Sequence, residues 1–192
     1  MLRRMRDFSD YSIQAADGVL GLVKDFYFDD DAWVVRYIVV EVDPGEPNRQ
    51  VLISPLSIGH PNWEAATFPT LLTRKQINES PAIDTGKPFS RQPNEAAHLR
   101  SAKEVRTYEV HGSDGEVGRV KAFVVDESTW AIGYLIVNTS KWWLGHEVLV
   151  DPGSIEQVDW LQRTVTVDMS RDAIRHSAPY DVRMLMQQGA AP

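Results

Sequence analysis

The chain has 192 residues, of which 43% are hydrophobic and 24% charged, a balance typical of one or two folded domains. Its formal net charge of −7 argues against a surface for nucleic acid or anionic lipid, since both are bound through Lys and Arg. The absence of cysteine excludes disulfides, thiolate nucleophiles and cysteine-based zinc or iron–sulfur sites.

The chain opens with an arginine-rich segment, Met1 to Arg6. A short charged terminus is typically frayed and solvated, and we expect that here. No apolar run follows it, so a signal peptide is not predicted. No stretch approaches the length of a transmembrane helix. We therefore expect a cytoplasmic protein without membrane insertion.

Two long strands and a hairpin come next. Val19 to Phe28 and Trp33 to Val42 are dense in β-branched and aromatic residues, which predicts strands. The acidic break between them, Asp29 to Asp31, lacks the spacing of a calcium-binding EF-hand loop and predicts a solvated hairpin tip. Alternate positions of the second strand should face the interior, namely Trp33, Val35, Tyr37 and Val39. The strand becomes apolar on both faces toward its end, so we expect another domain or subunit to cover it there.

The rest of this half contains shorter elements. "VLISP" at Val51 to Pro55 and Thr67 to Leu72 predict further strands. "TRKQINESP" predicts a brief helix that is N-capped by Thr73 and ends near Pro81. Residues 85–101 are polar and rich in proline and predict a linker, with a short helix at Glu95 to Leu99.

The second half of the chain repeats the first at a constant offset of 97 residues. The helix recurs as "SRDAIRHSAP", with Ser170 as its N-cap. Two copies of this length indicate two domains, which we place at residues 1–84 and 102–192, the second with a flexible C-terminal tail. The residues that repeat most clearly in turns and strands are Asp17, Gly18, Gly21, Trp33 and Tyr37, matched by Asp114, Gly115, Gly118, Trp130 and Tyr134.

These repeated residues, the "VLISP" strand and the terminal helix resemble the PRC-barrel family, which includes the cytoplasmic domain of the photosynthetic reaction-centre H subunit. The C-terminal barrel of the ribosome maturation factor RimM is related. The resemblance implies a mainly β fold of two tandem small, mostly antiparallel β-barrels, each of six strands and each closed by a short C-terminal helix. It also implies a role in contacting proteins, because that is what known members share.

No pattern in the chain predicts catalysis or a cofactor. The five histidines form no metal-binding helical motif, and neither a phosphate-binding loop nor a nucleophile elbow occurs. We therefore predict a protein that is not an enzyme and binds no cofactor or metal.

The clearest difference between the copies is one loop. "DPGEPNRQ" in the first copy becomes "SKWWLGHE" in the second, where Trp142, Trp143 and Leu144 are candidate partner contacts. The alternative is that a tryptophan packs on its own domain.

The sequence leaves three candidate functions. The leading one is a non-enzymatic interaction or assembly module that contacts a protein partner or a second copy of itself. The first alternative is an assembly factor linked to RNA or the ribosome, by analogy with RimM. The second is a small-ligand binding protein or enzyme that uses a cleft between the barrels.

Overall fold

The computed structural model describes residues 1–42, 49–83, 98–139 and 146–181. The chain is mainly β, as predicted, and forms two sheets. It divides into two compact units. One, the first-repeat unit, contains residues 7–102; the other, the second-repeat unit, contains residues 1–6 together with residues 103–192.

The elements follow each other twice in nearly the same order. Up to residue 101 they are β1 (Leu2–Arg4), β2 (Ser12–Ala15), β3 (Gly18–Asp29), β4 (Val34–Glu41), β5 (Gln50–Ile53), β6 (Thr67–Pro69), α1 (Arg74–Asn78) and β7 (Leu99–Ser101). They continue with α2 (Ala102–Val105), β8 (Glu109–Gly112), β9 (Gly115–Asp126), β10 (Ile132–Asn138), β11 (Glu147–Val150), β12 (Ile155–Asp159), β13 (Thr164–Val167) and α3 (Arg171–Arg175). The predicted caps are confirmed: the Thr73 and Ser170 side chains accept amide hydrogen bonds at the starts of α1 and α3.

Each unit is built around its long strand. The order of the first sheet is β5-β4-β3-β2-β6, with β7 also on β3; the order of the second is β11-β10-β9-β8-β13-β12, with β1 also on β9. The pairing is mostly antiparallel, as the resemblance implied, but one pair in each sheet runs parallel: β2 with β6, and β8 with β13. Among the described residues neither ladder of strand pairs closes into a ring.

Glycine allows the long strands to bend closely around their neighbours. Gly21 is the extra residue of a β-bulge and has φ +64°. A Cβ atom there would overlap the carbonyl oxygen of Glu41. Its counterpart Gly118 has no room for a Cβ beside the carbonyl oxygen of Asn138. The interior glycines therefore allow close approach of the neighbouring backbone.

A second bulge breaks the expected alternation of β4. Tyr37 pairs with Tyr27, but Val35 pairs with Phe28, which leaves exposed Arg36 as an extra residue. Paired residues share a face and successive residues of β3 do not, so Val35 and Tyr37 lie on opposite faces. The prediction of one continuous inward-facing set from Trp33 to Val39 is therefore wrong. A strict period of two cannot continue across a bulge.

The two copies exchange their leading strands. β1 pairs with β9 of the second copy, whereas β7, its counterpart at the offset of 97, pairs with β3 of the first. Met1 to Arg6 is therefore not frayed and lies in the second-repeat unit rather than in a domain of residues 1–84. Residues 99–101 are a strand rather than the end of a linker or helix. The remainder of the predicted linker and the C-terminal tail beyond residue 181 lie outside the described residues.

The exchanged strands cover the second apolar face of each hairpin. In the first-repeat unit the covering cluster contains Tyr27, Val39, Ile83 and Leu99, flanked by Tyr37 and Leu52. Its counterpart in the second-repeat unit contains Ala122, Val124 and Ile136, flanked by Leu2, Tyr134, Leu149 and Tyr180. The cover that the sequence required is thus supplied within each unit by a strand of the other copy.

Within the described ranges, the helices are all too short or too polar to cross a membrane.

Candidate protein-contact groove

The repeated aspartates, singled out by sequence, hold helix starts in place. The Asp17 carboxylate accepts the Arg74 amide at 2.7 Å, and Asp114 accepts the Arg171 amide at 2.6 Å. Hydrogen bonding to the Arg171 amide lowers the pKa of Asp114. These carboxylates join the turn before each long strand to the helix that ends the repeat, and their role is structural.

The repeated aromatic residues also serve the fold. Trp33 and Trp130 adopt left-handed backbone conformations in the hairpin turns, with φ of +51° and +62°. The Trp33 ring stacks on Phe28 with centroids 5.5 Å apart, and Trp130 is buried. Tyr37 and Tyr134 flank the two covering clusters. The predicted partner contacts, Trp142, Trp143 and Leu144, lie outside the described residues.

The acidic tip is only in part the solvated hairpin end that the sequence predicted, because Asp31 is exposed but Asp30 is not. The Asp30 side chain is only 6% exposed, and its carboxylate lies 2.8 Å from Arg100 Nε and 3.1 Å from His98 Nδ1. Asp29 accepts the amides of Asp31 and Ala32 at 3.0 and 2.9 Å. These oxygens are engaged by donors of the protein itself.

The pKa values of Asp29 and Asp30 are shifted in opposite directions. Burial raises the pKa of Asp30, and the neighbouring charges of Arg100 and His98 only partly oppose that effect. Burial also acts to raise the pKa of Asp29, but the amide of Ala32 and the Arg36 guanidinium outweigh it and lower the pKa. The arrangement stabilises the hairpin end; in the described part of the chain no three His, Asp or Glu residues are grouped to hold a metal.

An apolar groove opens on the first-repeat unit instead. It has a volume of about 350 Å³ and lies between the turn after β5 and the end of β6. Two leucines on it are almost fully exposed, Leu56 at 95% and Leu71 at 94%. Its lining consists of Leu56, Ser57, Ile58, Pro69, Thr70 and Leu71, together with a glycine. None of these side chains titrates, so the groove is suited to hold an apolar side chain rather than to move protons.

Hydrogen bonds hold the two walls of the groove together. Thr70 Oγ1 donates to the Ser57 carbonyl at 2.5 Å, and the Gly59 amide donates to the Pro69 carbonyl at 2.7 Å. The Ser54 side chain caps the turn that carries Leu56. The exposed leucines therefore stand on a backbone that is fixed before any partner arrives, which reduces the entropy lost on binding.

An aromatic cluster anchors the neighbouring strand. Phe68 of β6 lies 5.3 Å from Phe8 and 5.5 Å from Tyr11, between ring centroids. Trp63, which is 38% exposed, packs on Phe8 at 5.2 Å. At the offset of 97 the positions of Phe8 and Phe68 hold valine, so this anchoring is specific to the first copy.

Sequence reasoning missed this groove, although the repeat contains a signal for it. At the offset of 97, Leu56 corresponds to Gly153 and Leu71 to Asp168, both exposed. The second copy thus has no apolar side chain at either place. The fold of the repeat therefore does not require an apolar residue at either of these positions.

Compared with protein-family models and with curated proteins, the chain matches none. The resemblance to the PRC-barrel family therefore stays a prediction.

Proposed function

We propose that the chain is a non-enzymatic, cytoplasmic interaction module built from two PRC-barrel-like repeats, and that its groove binds an apolar side chain of a basic protein partner. The observation that carries the proposal is the pair of leucines, Leu56 and Leu71, that stand almost fully exposed beside a preformed apolar groove. A contiguous apolar patch on a soluble protein is characteristic of an interaction site.

The charge of the first-repeat unit supports a basic partner. Residues 7–102 contain 14 Asp and Glu against eight Lys and Arg, whereas the rest of the chain contains 13 against 12. The unit that carries the groove therefore carries almost all of the net negative charge. Such a field attracts a positively charged protein and repels nucleic acid, so the RNA-linked alternative gains no support.

A peptide library tests this function without assuming which protein is the partner. The full-length protein is panned against displayed random peptides, and the selected peptides are measured by fluorescence polarisation. We expect selected sequences to place a bulky apolar residue beside Lys or Arg. Leu71→Asp, which installs the residue found in the second copy, should weaken their binding by at least about tenfold, as loss of an interface hot spot does.

The matched control is Leu161→Asp. Leu161 is 69% exposed but belongs to the second-repeat unit, whereas every groove residue belongs to the first-repeat unit. It should leave peptide binding unchanged, and circular dichroism should show both variants folded. Selection of no saturable binder, or equal binding to wild type and Leu71→Asp, would overturn the proposal.

A further inference from the structure

The two exchanged strands occupy equivalent slots. β1 aligns Leu2 with Asp126 at the end of β9, and β7 aligns Leu99 with Asp29 at the end of β3. Both pairings are antiparallel and three residues long. The slot therefore accepts an extended segment alongside the last three residues of the long strand, as in recognition by strand addition.

The first residue of each segment is a leucine that enters an apolar cluster. Leu99 is 3% exposed and packs in the cluster of Tyr27 and Val39. Leu2 packs against the equivalent cluster of Val124 and Ile136. The leucine pocket is therefore a property of the repeat, present in both units, rather than of one pair of segments.

The second residue is an arginine that meets an acid beyond the long strand. Arg100 Nε lies 2.8 Å from the Asp30 carboxylate, and Arg3 Nε lies 3.4 Å from that of Glu127. The same acidic residues also bind the backbone of the residue before each leucine: the Asp30 amide donates to the His98 carbonyl at 2.9 Å, and the Glu127 amide to the Met1 carbonyl at 3.0 Å. One acidic residue thus reads both the arginine and the strand backbone.

The third residue distinguishes the two slots. Ser101 donates its hydroxyl to the Asp25 carboxylate at 2.5 Å. In the other slot Arg4 occupies this position, and the counterpart of Asp25 is Ala122. Leucine and arginine are therefore the shared recognition elements, while the third residue matches each segment to its slot.

We propose that each repeat carries a binding site for an extended Leu-Arg segment, and that reciprocal occupation of the two sites binds the copies of the repeat to each other independently of the covalent linker. The partner that each site fits is the leading strand of a second copy of the repeat. The chain is then the fused equivalent of a strand-exchanged dimer, in which fusion raises the effective concentration of each strand at its site.

Cleavage of the full-length protein tests this. A specific protease sequence is inserted after Lys87, and the purified protein is cut and passed over a sizing column with light scattering. Each fragment then supplies one strand to the unit that contains most of the other. We expect the fragments to elute together at the mass of the intact chain, 21.7 kDa plus the insert. If the folded chain resists the protease, it is cut in urea and refolded before the same measurement.

A double variant, Leu2→Asp with Leu99→Asp, separates the strands from any other attraction between the fragments. The cut variant should elute as two separate fragments, whereas the cut Leu161→Asp control should stay together. If the double variant does not fold, Arg3→Ala with Arg100→Ala is used, and the fragments should separate at a lower urea concentration than those of the wild type. Separation of the cut wild-type fragments would overturn the proposal, as would unchanged association in the folded variants.

Discussion

Replacement of Leu99 by alanine tests whether β7 belongs to the first sheet. Leu99 is 3% exposed and shares a cluster with Tyr27, Val39 and Ile83. Truncating a buried leucine to alanine costs about 2–5 kcal/mol, because transfer energy is lost and a cavity remains. For a chain of this size each kcal/mol corresponds to roughly 2–4 °C in Tm, so we expect Leu99→Ala to lower Tm by at least about 4 °C.

The assay is urea and thermal unfolding followed by circular dichroism, with Leu161→Ala as the control. Leu161 is 69% exposed, and a surface substitution of this kind changes the free energy of unfolding by no more than about 0.5 kcal/mol. If residues 99–101 were part of a solvated linker, the two variants would behave alike. Equal unfolding curves for Leu99→Ala and Leu161→Ala would therefore refute the placement of β7.

Three further predictions concern charge and backbone. Arg100→Ala leaves the Asp30 carboxylate buried without its guanidinium partner and should lower the free energy of unfolding by about 3 kcal/mol at pH 7. Because the pKa of Asp30 is raised, its carboxyl is protonated as the pH falls, and the loss should be smaller at pH 4. Urea unfolding at both pH values checks this. Burial acts to raise the pKa of Asp126, but hydrogen bonds from the following turn outweigh it and lower the pKa below the ordinary 3.8. The ionised Asp126 carboxylate therefore stabilises the fold above pH 3.8, and this stabilisation is lost as the pH falls below that value. The free energy of unfolding of Asp126→Asn should depend less on pH below 4 than that of the wild type. Gly21→Ala forces a strained φ and a backbone overlap and should cost about 2 kcal/mol or more, whereas Gly133→Ala meets only an ordinary contact and should change unfolding by less than about 0.5 kcal/mol, as denaturation curves would show.

The repeat made much of the fold predictable. The offset of 97 residues identified two copies, and turn glycines, β-rich runs and capping residues placed the long strands and closing helices. The bulge at Arg36 escaped prediction because the sequence offers no local mark there, such as the glycine that marks the bulge at Gly21. Local pattern fixes which segments are extended, but not where one strand slips past another.

The strand exchange could not be read from the sequence for a different reason. β1 and β7 share Leu-Arg and differ only at the third residue, Arg in β1 and Ser in β7. The shared part of each segment therefore does not indicate which sheet it joins. Pairing between segments more than 120 positions apart, such as Leu2 with Asp126, leaves no periodicity in the chain. The apolar second face of β4 did indicate that something covered it, without indicating what.

The groove differs from the bulge and the strand exchange, because the repeat itself could have revealed it. Leu56 and Leu71 look like ordinary members of apolar runs, and only their exposure in the folded unit marks them. Comparison of the copies could have identified them, since glycine and aspartate replace them at the offset of 97. The sequence instead predicted contacts at the tryptophans of the second copy, because tryptophan is enriched at the centres of interfaces.

Disulfide trapping tests the exchange of leading strands most directly, and the absence of cysteine makes the readout clean. In the exchanged arrangement Leu2 is the partner of Asp126, whereas an unexchanged β1 would place it beside Asp29, the equivalent position of the first copy. Directly opposed residues of paired strands lie within reach of a disulfide. Under mild oxidation, the Leu2→Cys/Asp126→Cys variant should crosslink within one chain and the Leu2→Cys/Asp29→Cys variant should not. Crosslinking of the second pair without the first would contradict the exchange.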